Sequence, residues 1–298
     1  MESASTAELF EQHRGHLLGV AYRMLGTISE AEDAVQETYL RLVRVDPKTL
    51  RDVRGWLTTT IARICLDELG SARARRESYV GPWLPEPTVG GQVSAQPRLG
   101  PEDRVTLDES VSLAMLVLLE SLTPAERTAF VLHDVLGFGY AELADVLGRA
   151  EPACRQLVSR ARSRIQQRAP RFAADPDEHA TVVSAFLDAC RHGSTDELLR
   201  VLDPGVVLRS DGGGHVVGVA RRPVTGAHPV ARLLLFLTQR WSSARISVRT
   251  VNGSTGLLVQ DGDHVLGVIG FACSRHAISE IFFVLNPDKL RHVAASTH

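Results

Sequence analysis

At 298 residues the chain is longer than one compact core usually runs, which argues for two or three domains. A hydrophobic content of 44% beside 23% charged residues excludes an intrinsically disordered chain, which lacks the apolar surface to offset chain entropy. A net charge of −2 excludes a uniformly basic nucleic-acid coat, and Cys65, Cys154, Cys190 and Cys273 lie too far apart for a zinc knuckle or a redox Cys-x-x-Cys pair.

The N-terminal stretch carries early acidic residues and no basic run before an apolar one, and the longest apolar runs, near Ala114–Leu119 and Leu233–Leu237, are too short to span a bilayer. A reducing cytoplasm is expected, with no membrane partner. From Glu8 to about Arg76 apolar residues recur at three and four (Leu17, Val20, Ala21, Met24, then Ala34, Val35, Leu42), which predicts an all-helical unit over 1–76. The segment 77–105 is rich in proline and glycine and predicts an extended linker, whose prolines stiffen it so that Trp83 and Leu84 can be presented to a surface at reduced ordering cost.

Helical periodicity resumes over 106–170 and breaks at Thr123-Pro124, where Thr123 suits the N-cap, Pro124 the first helical position and Glu126 the capping box. After Asp175-Pro176 the texture changes. Helices are predicted over His179–His192 and Thr195–Leu202, then strands over Ile246–Val251, Gly256–Gln260, Val265–Ala272 and Ile278–Leu285, with turns at Asn252-Gly253 and Asp261-Gly262. The region 176–298 therefore reads as an α+β domain with an antiparallel sheet.

The strongest local pattern is YAELADVLGRAEPACRQLVSRARSRI, from Tyr140 to Ile165: a short helix, Gly148 at a left-handed turn, and a second helix from about Glu151. This is helix-turn-helix spacing, in which the second helix enters the major groove. Between Asp145 and Arg171 seven arginines face only Asp145 and Glu151, an electrostatic footprint suited to phosphates. Arg155, Ser159 and Arg162 share one face with Gln156 and Arg160 alongside, while Leu157, Ala161 and Ile165 can turn inward; a helical hairpin with a basic exterior has the same pattern.

The stretch LTPAERTAFVLHDVLGFGYAELADVLGRAEPACRQLVSRARSRI resembles the second conserved domain of the extracytoplasmic-function RNA polymerase sigma factors, which binds the minus-thirty-five element. In the same order, AYRMLGTISEAEDAVQETYLRL resembles the family's core-polymerase-binding helix and RGWLTTTIARICLDELGSARARRE its minus-ten recognition and strand-melting segment. The resemblance implies core RNA polymerase and promoter DNA as partners. Glu32, Asp33, Gln36 and Glu37 form a polar stripe beside Ala34, Val35 and Tyr39, either a solvated face or a docking face for a basic coiled coil. Arg63, Arg73, Arg75 and Arg76 are expected along or just beyond a helix able to track phosphates, with Trp56 read as core. The sequence departs from the family at Arg63, where many members carry asparagine, which leaves open which minus-ten bases are read.

The C-terminal part is similar to the SnoaL-like fold, a cone-shaped sheet wrapped by helices. Sigma factors with this extension form a subgroup marked by three motifs, matched here by Trp83, Leu84 and Pro85 through Pro87; by Asp211, Gly212, Gly213 and Gly214; and by Asn286, Pro287, Asp288, Lys289 and Leu290. The resemblance implies that the extension regulates the sigma domains through these residues. Read on their residues alone, the Asp211 motif could equally be a turn and the Asn286 motif the end of a strand.

The expectation is thus a multidomain chain of two all-α helical sigma domains, the second with a helix-turn-helix, plus a C-terminal α+β SnoaL-like cone. No catalytic residue, cofactor or metal is called for. Two rivals stand beside it. SnoaL-like folds also host enzymes, for which Asp211, His215, His228 and His264 are the acid-base candidates, although all four tyrosines precede the extension. A helix-turn-helix regulator with a ligand-sensing extension leaves Glu8–Arg76 unexplained. The extension also has room for a small-molecule ligand that no residue identifies.

Overall fold

The computed structural model describes residues 6–77, 79–90, 112–168, 175–217, 219–274 and 276–295. The chain divides into two compact units. One holds 6–77 and 118–168; the other holds 79–90, 112–117 and the chain from 175 onward.

The first unit is helical. Helices α1 (Thr6–Leu25), α2 (Ile28–Leu42) and α3 (Val53–Glu77) pack on one another through the expected stripes, with Leu17, Val20, Met24, Val35, Leu42, Leu57 and Ile61 buried. Gly26, at φ 79°, turns the chain between α1 and α2 at a conformation that costs other residues strain. Helix α4 (Leu113–Leu119), which belongs to the second unit up to Val117, precedes α5 (Pro124–Phe130), whose capping box forms as the sequence predicts: Thr123 Oγ1 accepts from the Glu126 amide at 3.3 Å, and the Thr123 amide donates to Glu126 Oε2 at 3.0 Å. A π-helical turn, Val131–Val135, follows, then α6 (Tyr140–Leu147) and α7 (Glu151–Arg168). Helix α3 packs against both α5 and α6.

The second unit is built on a six-stranded sheet. After α8 (Pro176–His192) and α9 (Thr195–Val201) come β1 (Leu202–Asp211), β2 (Val224–Thr225), α10 (Ala227–Arg240), β3 (Arg245–Val251), β4 (Ser254–Asp261), β5 (His264–Ser274), β6 (Ala277–Val284) and α11 (Pro287–Ala295). The strand order is β2-β1-β6-β5-β4-β3. All pairs are antiparallel except β1 with β6, so the expected antiparallel sheet is a mixed one.

Both faces of this sheet are covered, and alternation along the strands serves two cores. Leu257, Val259, Ile269, Phe271, Ile281 and Phe283 face α8 and α10. Leu258, Val268, Phe282 and Val284 face the other way, against Leu84 and Val89 of the linker, Leu113, and Leu290 and Val293 of α11. The described stretch of the linker, 79–90, therefore contributes Leu84 and Val89 to the core of the second unit.

β1, α10 and α11 are not among the elements expected from the sequence, and each contains a proline. Pro204 sits in an irregular stretch of β1, before the regular pairing that begins at Val207. Pro229 and Pro287 occupy first turns of helices, where no intrahelical N–H donor is required.

Candidate functional sites

The helix-turn-helix forms around Gly148, at φ 61° and ψ 36°. On α7, Cys154, Leu157, Val158, Ala161 and Ile165 are buried, which leaves Arg155, Gln156, Ser159, Arg160 and Arg162 all exposed. They differ in what holds them. The Arg155 guanidinium lies 4.5 Å from the centre of the Tyr140 ring and 3.1 Å from Glu151 Oε2, and Tyr140 in turn packs on His133 at 4.3 Å. Arg162 makes a two-pronged ion pair with Asp134, at 2.6 and 2.9 Å, which raises its already high pKa further. Arg160 and Gln156 have no side-chain partner among the described residues. The π-helical turn supplies both His133 and Asp134, so it orients two of the candidate reading residues. Sequence reasoning missed Tyr140 and Asp134 because neither lies on the basic helix.

Two contacts join α3 and α1 to the helices after the linker. Arg63 Nη2 donates to the Asp145 carbonyl at 2.8 Å. Arg127, 2% exposed, donates to the Arg23 carbonyl through Nε at 3.2 Å and Nη2 at 3.1 Å, and its third nitrogen meets Glu120. Arg73, Arg75 and Arg76 lie on the last turns of α3, with side chains outside the described residues. Trp56 is half-buried and not in the core as expected.

A groove of about 550 Å³ runs between α1 and α2, lined by Phe10, Glu11, Glu32, Asp33, Gln36 and Tyr39 among others. Glu32, Asp33 and Gln36 are exposed along it, while Glu37 lies outside and pairs with Arg41 at 2.9 Å. The contribution of α1 to this groove, through Glu11 and Arg14, is tertiary and has no signature in the sequence.

The three motifs of the linker and extension come together within the second unit. Asp211, fully buried at the end of β1, accepts from Tyr79 Oη at 2.6 Å, the Leu84 amide at 2.9 Å, the Gly213 amide at 3.0 Å and Lys289 Nζ at 2.7 Å. Lys289 also donates to the Leu84 carbonyl and lies 4.0 Å from the centre of the Trp83 ring. Asn286 Nδ2 donates to Tyr79 Oη at 2.8 Å, and Asn286 Oδ1 caps α11 by accepting from the Asp288 amide at 3.0 Å. Gly213, at φ 61°, leaves space that a Cβ would fill 2.5 Å from the Asn286 side chain. Burial, and then the Asp211 carboxylate beside it, push the Tyr79 phenol well above its ordinary range, which keeps it a donor.

Pro85 and Leu290 are buried beside this latch, whereas Gly212 is half-buried and Gly214, Pro287 and Asp288 are exposed. The Asp211 motif is thus a turn and an anchor at once, and the Asn286 motif opens a helix instead of closing a strand. A second anchor holds the described stretch of the linker at Thr88. Asn252 accepts from the Thr88 amide through Oδ1 at 3.1 Å and donates its own amide to the Thr88 carbonyl at 3.0 Å. Tyr79 and Asn252 were not singled out as site residues in the sequence; a lone tyrosine entering the Pro/Gly segment is the one signal available for the first. The acid-base candidates do not converge: Asp211 is consumed by the latch, His215 lies beside Asp288 at 3.6 Å, and His228 and His264 are exposed elsewhere.

Known proteins carry the same organisation. The Sigma-70 region 2 family model matches residues 9–75, and the Sigma-70 region 4 model matches 112–165. The chain is 37% identical over 282 residues to a probable extracytoplasmic-function RNA polymerase sigma factor, SigI, of Mycobacterium tuberculosis, covering 93% of this chain and 92% of that one. It is 38% identical over 291 residues to SigJ of the same organism, covering 94% and 91%. The crystal structure of Mycobacterium tuberculosis SigJ superposes with a TM-score of 0.76 at 34% identity, over 97% of this chain and 99% of that one. The chain belongs to the extracytoplasmic-function RNA polymerase sigma factors, in the group that carries a C-terminal SnoaL-like domain.

Proposed function

We propose that the chain binds core RNA polymerase through the α1–α2 groove, reads promoter DNA with α7 and α3, and works in the cytoplasm as an initiation factor with no catalytic activity or cofactor of its own. The working division is 1–76 for core binding and the minus-ten element, 77–105 as linker, 106–170 for the minus-thirty-five element and 176–298 as regulator. The observation that carries this reading is the groove itself, where Glu32, Asp33 and Gln36 stand exposed beside apolar and aromatic walls, as a partly basic helical partner requires. The exposed arginine face of α7 supports the DNA half. Regulation by the extension is supported by the latch: the linker that connects the two sigma regions is fastened by its own C-terminal domain, so closing or opening the latch sets the span available between them.

Run-off transcription with purified core polymerase on a promoter library tests this. The full chain is expected to yield promoter-specific transcripts, and Asp33→Arg to lose core binding while its circular dichroism stays that of the parent. Lys289→Met is expected to change transcript yield on the same promoters. Absence of both core binding and transcripts from the parent chain removes the reading in favour of a helix-turn-helix regulator, and equal yield from Lys289→Met removes the regulatory part.

A further inference from the structure

The second unit contains a cavity of about 640 Å³ between the sheet, α8 and α10, within the size range of sites that enclose drug-sized molecules. Its floor is apolar and includes Phe186, Leu234, Leu257, Ile269 and Phe283. Its polar members gather where α8 and α10 end and β3 begins. The basic side chains there are Arg191, His192 and Arg245; among the described residues no carboxylate lines the cavity. Two of the three are already engaged, Arg191 with Asp188 at 3.6 Å and the Ile246 carbonyl at 3.4 Å, and His192 with Glu197 at 2.9 Å. The Arg245 side chain has no partner among the described residues. Cys190 also lines the cavity, but burial pushes its thiol up to about 12, so it is not poised as a nucleophile.

We propose that this cavity is a binding site for an apolar molecule with a single anionic head, such as a medium-chain or polycyclic carboxylate, its body on the sheet and its head at Arg245. The apolar floor supplies sequestration from water without directional demand, so it selects for size alone. Chemical discrimination falls to the rim, where an unpaired guanidinium offers a forked donor to a carboxylate or sulfonate. None of Asp211, His215, His228 and His264 lines the cavity, and the role proposed for it is to hold a ligand. This inference concerns the second unit alone and stands whether or not the chain initiates transcription.

The test uses the full-length protein and 11-bromoundecanoate, whose bromine quenches tryptophan fluorescence; Trp241 lines the cavity and packs on Phe283 at 6.0 Å. Saturable quenching is expected, absent in Trp241→Phe, and reversed by decanoate. Decanoate is expected to compete at least about tenfold better than decanol or decyltrimethylammonium, the ratio that a hydrogen bond to a charged group provides. Arg245→Gln, at an exposed position, is expected to erase that preference without altering stability. Leu234→Trp, which fills the floor, is expected to abolish binding of all three. The proposal is overturned by absence of saturable binding, by equal competition from decanoate and decanol, or by an unchanged preference in Arg245→Gln.

Discussion

Asp211 Oδ2 and Lys289 Nζ lie 2.7 Å apart with side chains 0% and 9% exposed, and between them they hold the backbone of Leu84 by both its amide and its carbonyl. Removing one partner of a buried pair leaves the other charge without compensation, typically at a cost of about 3–5 kcal/mol. Lys289→Met is therefore expected to destabilise the second unit by that order, partly offset by the three donors that Asp211 keeps. Denaturant unfolding measures the loss, and hydrogen exchange at the Leu84 and Gly213 amides locates it. Undiminished protection at both amides would show that the latch does not depend on the ion pair.

His16 is buried in α1 with Nε2 3.1 Å from Thr58 Oγ1, and burial first, then the nearby Arg54, lowers its pKa from 6.5 to about 4. The folded state thus favours the neutral ring. Between pH 6.5 and about 4 the unfolded chain takes up a proton that the folded chain refuses, so stability is full above pH 6.5 and falls as pH drops through that window. The loss attributable to this group is on the order of 3 kcal/mol. Unfolding free energy followed from pH 7 to pH 4 should show it, and His16→Gln should flatten that slope.

Arg127 and Arg63 both reach across the first unit, but only one is buried. Arg127→Met removes two donors from the Arg23 carbonyl and one from Glu120, with an expected cost of about 3 kcal/mol. Arg63→Ala removes one exposed bond to the Asp145 carbonyl and should alter stability by no more than about 0.5 kcal/mol. Paired unfolding curves distinguish the two. Comparable losses from both would contradict the ranking by burial.

On α7 the expected contrast is between free and anchored arginines. Arg160→Ala should lose discrimination between matched and mismatched upstream elements by about 1–3 kcal/mol if Arg160 reads a base, whereas a phosphate contact weakens all sequences alike. Tyr140→Leu should lower the same discrimination through Arg155, which it positions, and Arg155→Ala should add little in that background. Fluorescence anisotropy against a panel of duplexes at fixed salt reads both effects. Additive losses from Tyr140 and Arg155 would show that the stacking has no role in placing the guanidinium.

The sequence by itself determined the parts whose signals are local. Helical stripes of α1 to α3, the Thr123 capping box, the Gly148 turn with its outward arginines and the Asn252-Gly253 hairpin all follow from periodicity and backbone preference within a few residues. Tertiary structure decided where the motifs meet. Trp83, Asp211 and Lys289 are far apart in the chain, and their convergence depends on β1 pairing parallel to β6, which brings the end of β1 beside the start of α11. The same closure gives the sheet two buried faces, one for the linker and one for the cavity. No window of sequence carries that information, because long-range pairing is selected by the whole set of apolar faces that must be covered at once.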